Sequence, residues 1–504
     1  MIRRQINSSR HEYIAIIIII IIASILRISD LSGVGFNNDE AIYSGQAATL
    51  AGFNEFREHF SIFRAHPLLL QFTISILFTN FGISDTIARL VPAVFGVAIV
   101  LLTYLIGKAL FDKKIAMVAA VVISILPYHV IVSRQVLLDV PLAFFTVLAF
   151  FFVTRHMKSP RQTYWLYLIG ISAGLSFLSK EIGVFTLLTS IVSLFLIKTF
   201  SFRNLIIIIV SFILASSPYW IPIMTIHEAQ DSFLAYWYWQ NSRDPNHPET
   251  FYFRMLSQEV LGYMLLALNA ISIVYAFVKK TMKPVILLLL LWIGIPLIFL
   301  HTLDVKGYHF LYSIVPFFVL LGISFLSSDW FKKIPKYGIV TLAFIPLVIV
   351  LSGPPLHYLF QLPPINLVGS GGEPYSREAA IWIRDNVPNS ATLLTLDTRT
   401  ANVIKFYSNN DAFSLHANKN PAYETIDNSD FAVLSGKINY LVYEAHLAER
   451  LPYLKQEADE IDRLIQKFNG APIHTEYMSH VDKSGIIRIK PALIIYSLNP
   501  YMEK

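Results

Sequence analysis

Long apolar runs separated by short polar breaks fill this chain as far as residue 352. They lie at 13–28, 88–106, 115–132, 140–154, 164–178, 183–197, 205–225, 260–278, 284–300, 310–325 and 337–351. Each is roughly 16–22 residues, about what an α-helix needs to cross a bilayer. The pattern predicts a polytopic α-helical membrane protein with about 11 transmembrane helices. The first run lacks a small-residue cleavage site and leads straight into a polar motif, so it reads as a span and not as a cleaved signal peptide.

Basic residues assign the faces. Arg3, Arg4 and Arg10 precede the first run. Later clusters are Lys108/Lys113/Lys114, Arg155/Lys158/Arg161, Lys198/Arg203, Lys279/Lys280/Lys283 and Lys332/Lys333/Lys336. Across about 11 spans these all share one face, the cytoplasmic one by the positive-inside rule. Asp39-Glu40, Arg134, Asp139, Lys180-Glu181, the 226–257 loop and Lys306 then share the opposite face. Another apolar run, 67–81, is short and opens on Pro67. If it crossed, every later loop would change sides, so it is expected to be interfacial or re-entrant within a long first external loop at 31–87.

After Ser352 the pattern changes. Gly353-Pro354-Pro355, Pro363-Pro364 and Gly369-Ser370-Gly371-Gly372 mark a linker at 353–375. Residues 376–504 have a soluble character. Helices are expected at 376–386, 400–407 and, long and amphipathic, at 447–468; strands are expected at 391–396, 438–443, 486–489 and 492–497. This alternation predicts a small α/β domain, extracytoplasmic by the same parity, behind a transmembrane unit at 1–352. The domain carries no glycine-rich phosphate loop and no cluster of metal-ligand residues.

Composition narrows the classes. Of 504 residues 55% are hydrophobic and only 15% charged, with mean hydropathy +0.54, too little charge for a soluble protein of this size. The net charge of +6 is scattered over short loops, which argues against nucleic-acid binding. The absence of cysteine excludes disulfides, zinc-thiolate sites and thiol nucleophiles.

Candidate chemistry gathers on the outer face. Asn37-Asn38-Asp39-Glu40-Ala41-Ile42-Tyr43 opens a helical stretch beside lipid, where a carboxylate is costly to desolvate. Asp39 is placed to cap that helix, and a helix N-terminus also keeps a carboxylate ionised and ready to accept a proton. Arg134 and Asp139 flank Gln135-Val136-Leu137-Leu138, as a snorkelling arginine and a capping acid or as an anion clamp with a second acid. The 226–257 loop is rich in aromatics, as an interfacial belt is. Its Arg243 and His247 also suit a phosphate headgroup beside a lipid tail. Lys180-Glu181, Lys306, Tyr308, His309 and His66-Pro67 stand at external span ends, where snorkelling is the ordinary role.

Taken in order, these residues resemble the C-type (GT-C) membrane glycosyltransferases, and most of all the protein O-mannosyltransferases and lipid A aminoarabinose transferases. The likeness covers most of 10–330. It rests on Asp39-Glu40 with Tyr43, His66-Pro67-Leu68, Gly82-Ile83-Ser84 followed by Arg89-Leu90, and Arg134…Leu138-Asp139-Val140-Pro141-Leu142. Asn241-Ser242-Arg243…His247-Pro248 and Lys306…Tyr308…Pro316 complete it. The resemblance implies transfer of a sugar, a hexose or pentose, from a polyprenyl (dolichyl or undecaprenyl) phosphate to a hydroxyl of a protein, lipid or glycan on the non-cytoplasmic face. It implies Asp39 as general base with inversion, and Glu40 positioning the acceptor or tuning Asp39. Arg134 and Arg243 would hold the phosphate, with Lys180 and Lys306 as further candidates, while Asp139 orients Arg134 or the first loop. His66, His247, Tyr43 and Tyr308 would support the site. Arg or Lys can stabilise a singly charged phosphodiester, so no cofactor is required. A divalent metal is not expected, and its only evident ligands are His66 and His247 with Glu40. Two departures stand out: Pro67 is single where relatives often have two prolines, and the Trp-Trp-Asp acceptor motif of oligosaccharyltransferases is absent.

Two other classes compete. A transporter or flippase for a lipid-linked or anionic substrate should place ionisable groups at mid-span and show repeats; an inactive relative would use its outer domain as a binding module.

Overall fold

The computed structural model describes residues 2–63, 66–279, 283–327, 375–416, 426, 428–481 and 487–499. Among them six helices are long and apolar enough to cross a membrane: His11–Ile28, Asp85–Leu110, Asp139–Lys158, Phe202–Thr225, Pro284–His301 and Tyr308–Ser327. Two bent pairs raise the number to eight if each is a single span. Tyr164–Ser179 and Glu181–Leu196 are shorter apolar helices at expected positions, so length alone does not confirm a count of eleven. The run at 337–351 and nearly all of the linker lie outside the described residues. The 67–81 run forms the helix Leu69–Phe81. At 1.5 Å per residue it reaches only about 20 Å, short of a bilayer core.

Both bends have local causes. The expected helix at 115–132 breaks into Lys113–Ile125 and Pro127–Ser133, bent by 59°. Pro127 has no N–H, so the carbonyl four residues back loses its helical partner. The Arg27 guanidinium, fully buried, donates to the carbonyls of Ile123 and Ser124 at 3.2 and 2.8 Å and contacts His129 Nδ1 at 2.8 Å. A charge from the first span thus satisfies the broken backbone of another. The second break, 106° between Phe251–Val260 and Gly262–Val278, turns on Gly262, whose φ of +69° suits glycine.

The C-terminal part holds a five-stranded sheet in the order β2-β1-β3-β5-β4. The strands are β1 (Thr392–Asp397), β2 (Asp411–His416), β3 (Tyr440–Tyr443), β4 (Ala471–Val481) and β5 (Ile487–Ser497). β1 pairs in parallel with β2 and β3, while β5 is antiparallel to β3 and β4. Helices Ser376–Asn386 and Thr398–Ser408 fall where the sequence pattern puts them. Two expectations are corrected. The long helix at 447–468 is interrupted at Pro452, giving Ala445–Arg450 and Lys455–Lys467 with a short 3-10 turn between. The strands at 486–489 and 492–497 are one strand, with Pro491 tolerated where the ladder to β4 shifts register beside it.

The main core lies among the spans, and a second apolar cluster joins the two parts of the molecule. Phe36, Phe56 and Phe60 of the first loop bury together with Leu138 and with Val403 and Phe406 of helix Thr398–Ser408.

Candidate active site

The first loop is built around a helix, Asn38–Leu50, held open at its start. Asn37, not Asp39, is its N-cap: Asn37 Oδ1 accepts from the Glu40 N–H at 3.0 Å, and Glu40 Oε2 accepts from the Asn37 N–H at 3.1 Å. This reciprocal capping box satisfies two orphan donors and corrects the expectation that Asp39 caps the helix. Asp39 is thereby left half-buried with one oxygen accepting from Asn38 Nδ2 at 3.1 Å.

Glu40 turns inward. Its two oxygens accept from Arg89 Nε and Nη2, both at 2.7 Å, and from the Val136 N–H at 3.0 Å. Arg89 also donates to the carbonyls of Leu31, Val34 and Gly35. Glu40 is 1% and Arg89 6% exposed, so neither faces an open site. The pair ties the polar turn after the first span to helix Asp85–Leu110. The resemblance has Glu40 positioning the acceptor or tuning Asp39; the geometry shows it buried against Arg89, bracing the loop that carries Asp39.

Arg134 also differs from expectation. Its guanidinium donates to the carbonyls of Leu26 at 2.9 Å and Asp30 at 3.1 Å, closing the end of the first span. Asp139 orients Lys180 instead of Arg134: Lys180 Nζ stands 3.0 and 2.9 Å from its two oxygens, and His309 Nε2 lies 3.6 Å away. Lys180 and Asp139 are both buried, and the ammonium sits 4.0 Å from the centre of the Phe310 ring.

A third group joins distant segments. His66 Nδ1 lies 2.9 Å from Glu181 Oε1, and its Nε2 lies 3.3 Å from the Tyr236 hydroxyl. Tyr236 accepts from Gln240 at 2.5 Å, and Gln240 accepts from Arg243 at 3.3 Å. The Arg243 guanidinium also stacks over Trp239. Tyr43 meets the His66 ring edge-on. Burial, then the charges of Asp39 and Asp139, keep the Tyr43 phenol protonated far above its usual range. Burial and Glu181 do the same for Tyr236. Both phenols are therefore neutral hydroxyls at physiological pH.

These groups converge on Asp39. Its charge acts on Tyr43 of its own helix, on Tyr236, and on the adjacent Tyr308 and His309, three segments in all. Arg243 acts on the same Tyr236 hydroxyl and Lys180 on the same His309. Tyr308 donates to Gln135 Oε1 at 2.7 Å. Lys306 stands apart, donating to the Leu303 carbonyl at 3.0 Å and lying 3.6 Å from Glu249. His247 stacks on Phe251 at 4.1 Å, its imidazole held below its usual pKa by burial, Arg254 and Lys306. Among the described residues no three His or carboxylate groups are placed to share a metal, and His66, His247 and Glu40 point to different partners.

A narrow cleft between the helices, lined by Leu142, Thr146, Ile182, Thr186, Trp292 and Phe299, reaches Phe310, the ring against which the Lys180 ammonium sits. Sequence reasoning assigned no role to Arg89, Glu181, Tyr236 or Gln135. Arg89 did carry a signal, a charge inside an apolar run. Glu181 showed only as a charge at a span end and Tyr236 only as part of an aromatic loop, because their pairing through His66 depends on packing between loops.

The arrangement is that of a C-type membrane glycosyltransferase fold: a helical membrane bundle with a polar first loop at one end and a small sheet domain after it. The family model for dolichyl-phosphate-mannose-protein mannosyltransferase matches residues 66–227. ArnT from Cupriavidus metallidurans bound to undecaprenyl phosphate superposes with a TM-score of 0.67 at 13% identity, covering 95% of this chain and 97% of that one. The archaeal oligosaccharyltransferase AglB from Archaeoglobus fulgidus, in complex with an inhibitory peptide and a dolichol-phosphate, superposes with a TM-score of 0.59 at 15% identity, covering 96% and 74%. No curated protein sequence matches significantly.

Proposed function

We propose that this protein transfers a sugar from a polyprenyl-phosphate carrier to an acceptor hydroxyl on the non-cytoplasmic face of a membrane, with Asp39 as general base. The half-buried Asp39 carboxylate, whose charge reaches Tyr43 on its own helix and Tyr236, Tyr308 and His309 on two other elements, carries this reading. The acceptor O–H gives its proton to Asp39 as its oxygen bonds to the anomeric carbon. The bond from that carbon to the phosphate oxygen breaks, and the electron pair leaves with the carrier, inverting the centre. The leaving phosphate gains a second negative charge, which Lys180 and Arg243 offset. Tyr43 and Tyr236, held neutral, supply hydroxyls to orient sugar or acceptor. The expected orientation follows from the basic clusters, which mark the face away from Asp39 as cytoplasmic.

This reading is tested with full-length protein in proteoliposomes given a panel of radiolabelled hexosyl and pentosyl phosphopolyprenols. Asp39→Asn should lower transfer by about 10²–10⁴-fold. Transfer at the wild-type rate in that variant removes Asp39 as the base.

A further inference from the structure

The C-terminal domain approaches Asp39 through a short hydrogen-bonded relay. Asn402, on helix Thr398–Ser408, donates from Nδ2 to Asn38 Oδ1 at 2.8 Å, and Asn38 donates from its own Nδ2 to Asp39 Oδ1 at 3.1 Å. Asn402 is 2% exposed. The same helix is anchored on either side of this contact. Val403 and Phe406 bury in the first-loop cluster, with Phe406 5.0 Å from Phe36 and 5.5 Å from Phe56. One turn on, the Tyr407 hydroxyl donates to Asp85 at 2.8 Å and accepts from the Phe36 N–H at 3.0 Å. Residues 402 and 406 lie four apart and so share one face of the helix.

The chemistry of a primary amide makes the relay directional. Asn38 offers one acceptor end and one donor end. With the Asn402 donor facing its oxygen, Asn38 must present its NH₂ group to Asp39. If the amide turned over, its oxygen would face a carboxylate oxygen, and two acceptors would repel. The orientation of Asn38, and with it the oxygen that Asp39 has left for the acceptor hydroxyl, is therefore set from a residue 364 positions away.

We propose that Asn402 is a positioning residue for the transfer reaction, acting through Asn38 to aim the Asp39 carboxylate, and that this is a role of the C-terminal domain. The proposal rests on Asp39 being the base. It predicts an inverted order of effects in two substitutions. Asn402→Asp is nearly isosteric, but the introduced carboxylate accepts where Asn402 donates, so it draws the Asn38 NH₂ group away from Asp39. Asn402→Ala merely removes the donor.

The test uses full-length protein in proteoliposomes with the same panel of radiolabelled phosphopolyprenol sugars. N402D should lower kcat by about 10-fold or more with the donor KM unchanged, and more severely than N402A. In an N38A background N402D should have no further effect, since the relay is already cut. Should N402D fail to accumulate, N402A is compared in the N38A background in the same way. Equal kcat in N402D and wild type overturns the proposal, as does an effect of N402D that multiplies with that of N38A. A loss in N402A as large as in N402D, tracking a fall in melting temperature, marks a packing role and also overturns it. The two readings separate cleanly: a fully active D39N removes the base and this proposal together, whereas an inactive D39N beside a fully active N402D removes this proposal alone.

Discussion

Asp39 and Glu40 are neighbours in the chain with opposite situations. Successive helical residues point about 100° apart, so one carboxylate meets the open side of the loop while the next is carried into the interior. Glu40 there forms a two-pronged pair with Arg89. Breaking such a buried pair from one side leaves an uncompensated charge and costs about 3–5 kcal/mol, whereas removing both partners costs much less. Arg89→Gln should therefore lower the melting temperature of the detergent-solubilised protein more than the double variant Glu40→Gln/Arg89→Met. A double variant less stable than R89Q would contradict this role. The residue pattern exposed the acidic pair but not this division of labour, because the capping box that fixes the helix phase begins two residues before Asp39, at Asn37. Arg134 was legible as a charge at a span end. That its Nη1 and Nη2 donate to the carbonyls of Leu26 and Asp30 was not, since those groups lie at the end of the first span and the turn after it, more than a hundred residues away.

Among the elements, β3 ends beside a buried acid that the proposed reaction does not use. Glu444 accepts from the Leu396 N–H at 2.8 Å and from the Asp397 N–H at 3.4 Å. Burial pushes its carboxyl up to about 8, the nearby Asp397 adds to this, and the hydrogen bonds oppose it. A pKa raised in the folded state means stability fully present below the unfolded value of 4.5 and lost as pH rises through about 8. The melting temperature should fall from about pH 5 to about pH 9, and Glu444→Gln should flatten that fall. The difference between the two proteins would be greatest at the alkaline end, on the order of a few kcal/mol. Parallel pH profiles for the two would rule the effect out. The sequence pattern marked β1, β3 and the helices at 376–386 and 400–407 through their apolar periodicity. It missed β2 and β4. β4, Ala471–Val481, is an edge strand with His474, Glu476, Ser479 and His480 along it, so its apolar alternation is weak.

For the molecule as a whole, the basic clusters and the site residues occupy opposite ends of the helices. Lys108 closes Asp85–Leu110 and Lys158 closes Asp139–Lys158, whereas Asp139 begins that helix and Lys180 follows Tyr164–Ser179. With no native cysteine, single replacements report sidedness directly. Glu55→Cys in the first loop should react with an impermeant thiol reagent from outside, and Lys113→Cys only after permeabilisation; both positions are exposed. Labelling of both from one side would sink the topology. The helical bundle followed by a small sheet domain was readable from run length and composition, as was the short helix Leu69–Phe81. The docking of the C-terminal domain on the first loop was not, since no local pattern reports which distant surface a helix will meet.

That docking has a consequence in time. A chain made from its N-terminus inserts its first span and exposes residues 37–40 early, yet Phe36, Phe56 and Phe60 find part of their apolar partners only when Val403 and Phe406 arrive. A segment made before most of the chain is thus among the last to reach its final shape. Until the C-terminal domain has folded, the nascent protein holds its membrane helices without a finished first loop. Maturation is in this way coupled to completion of the polypeptide.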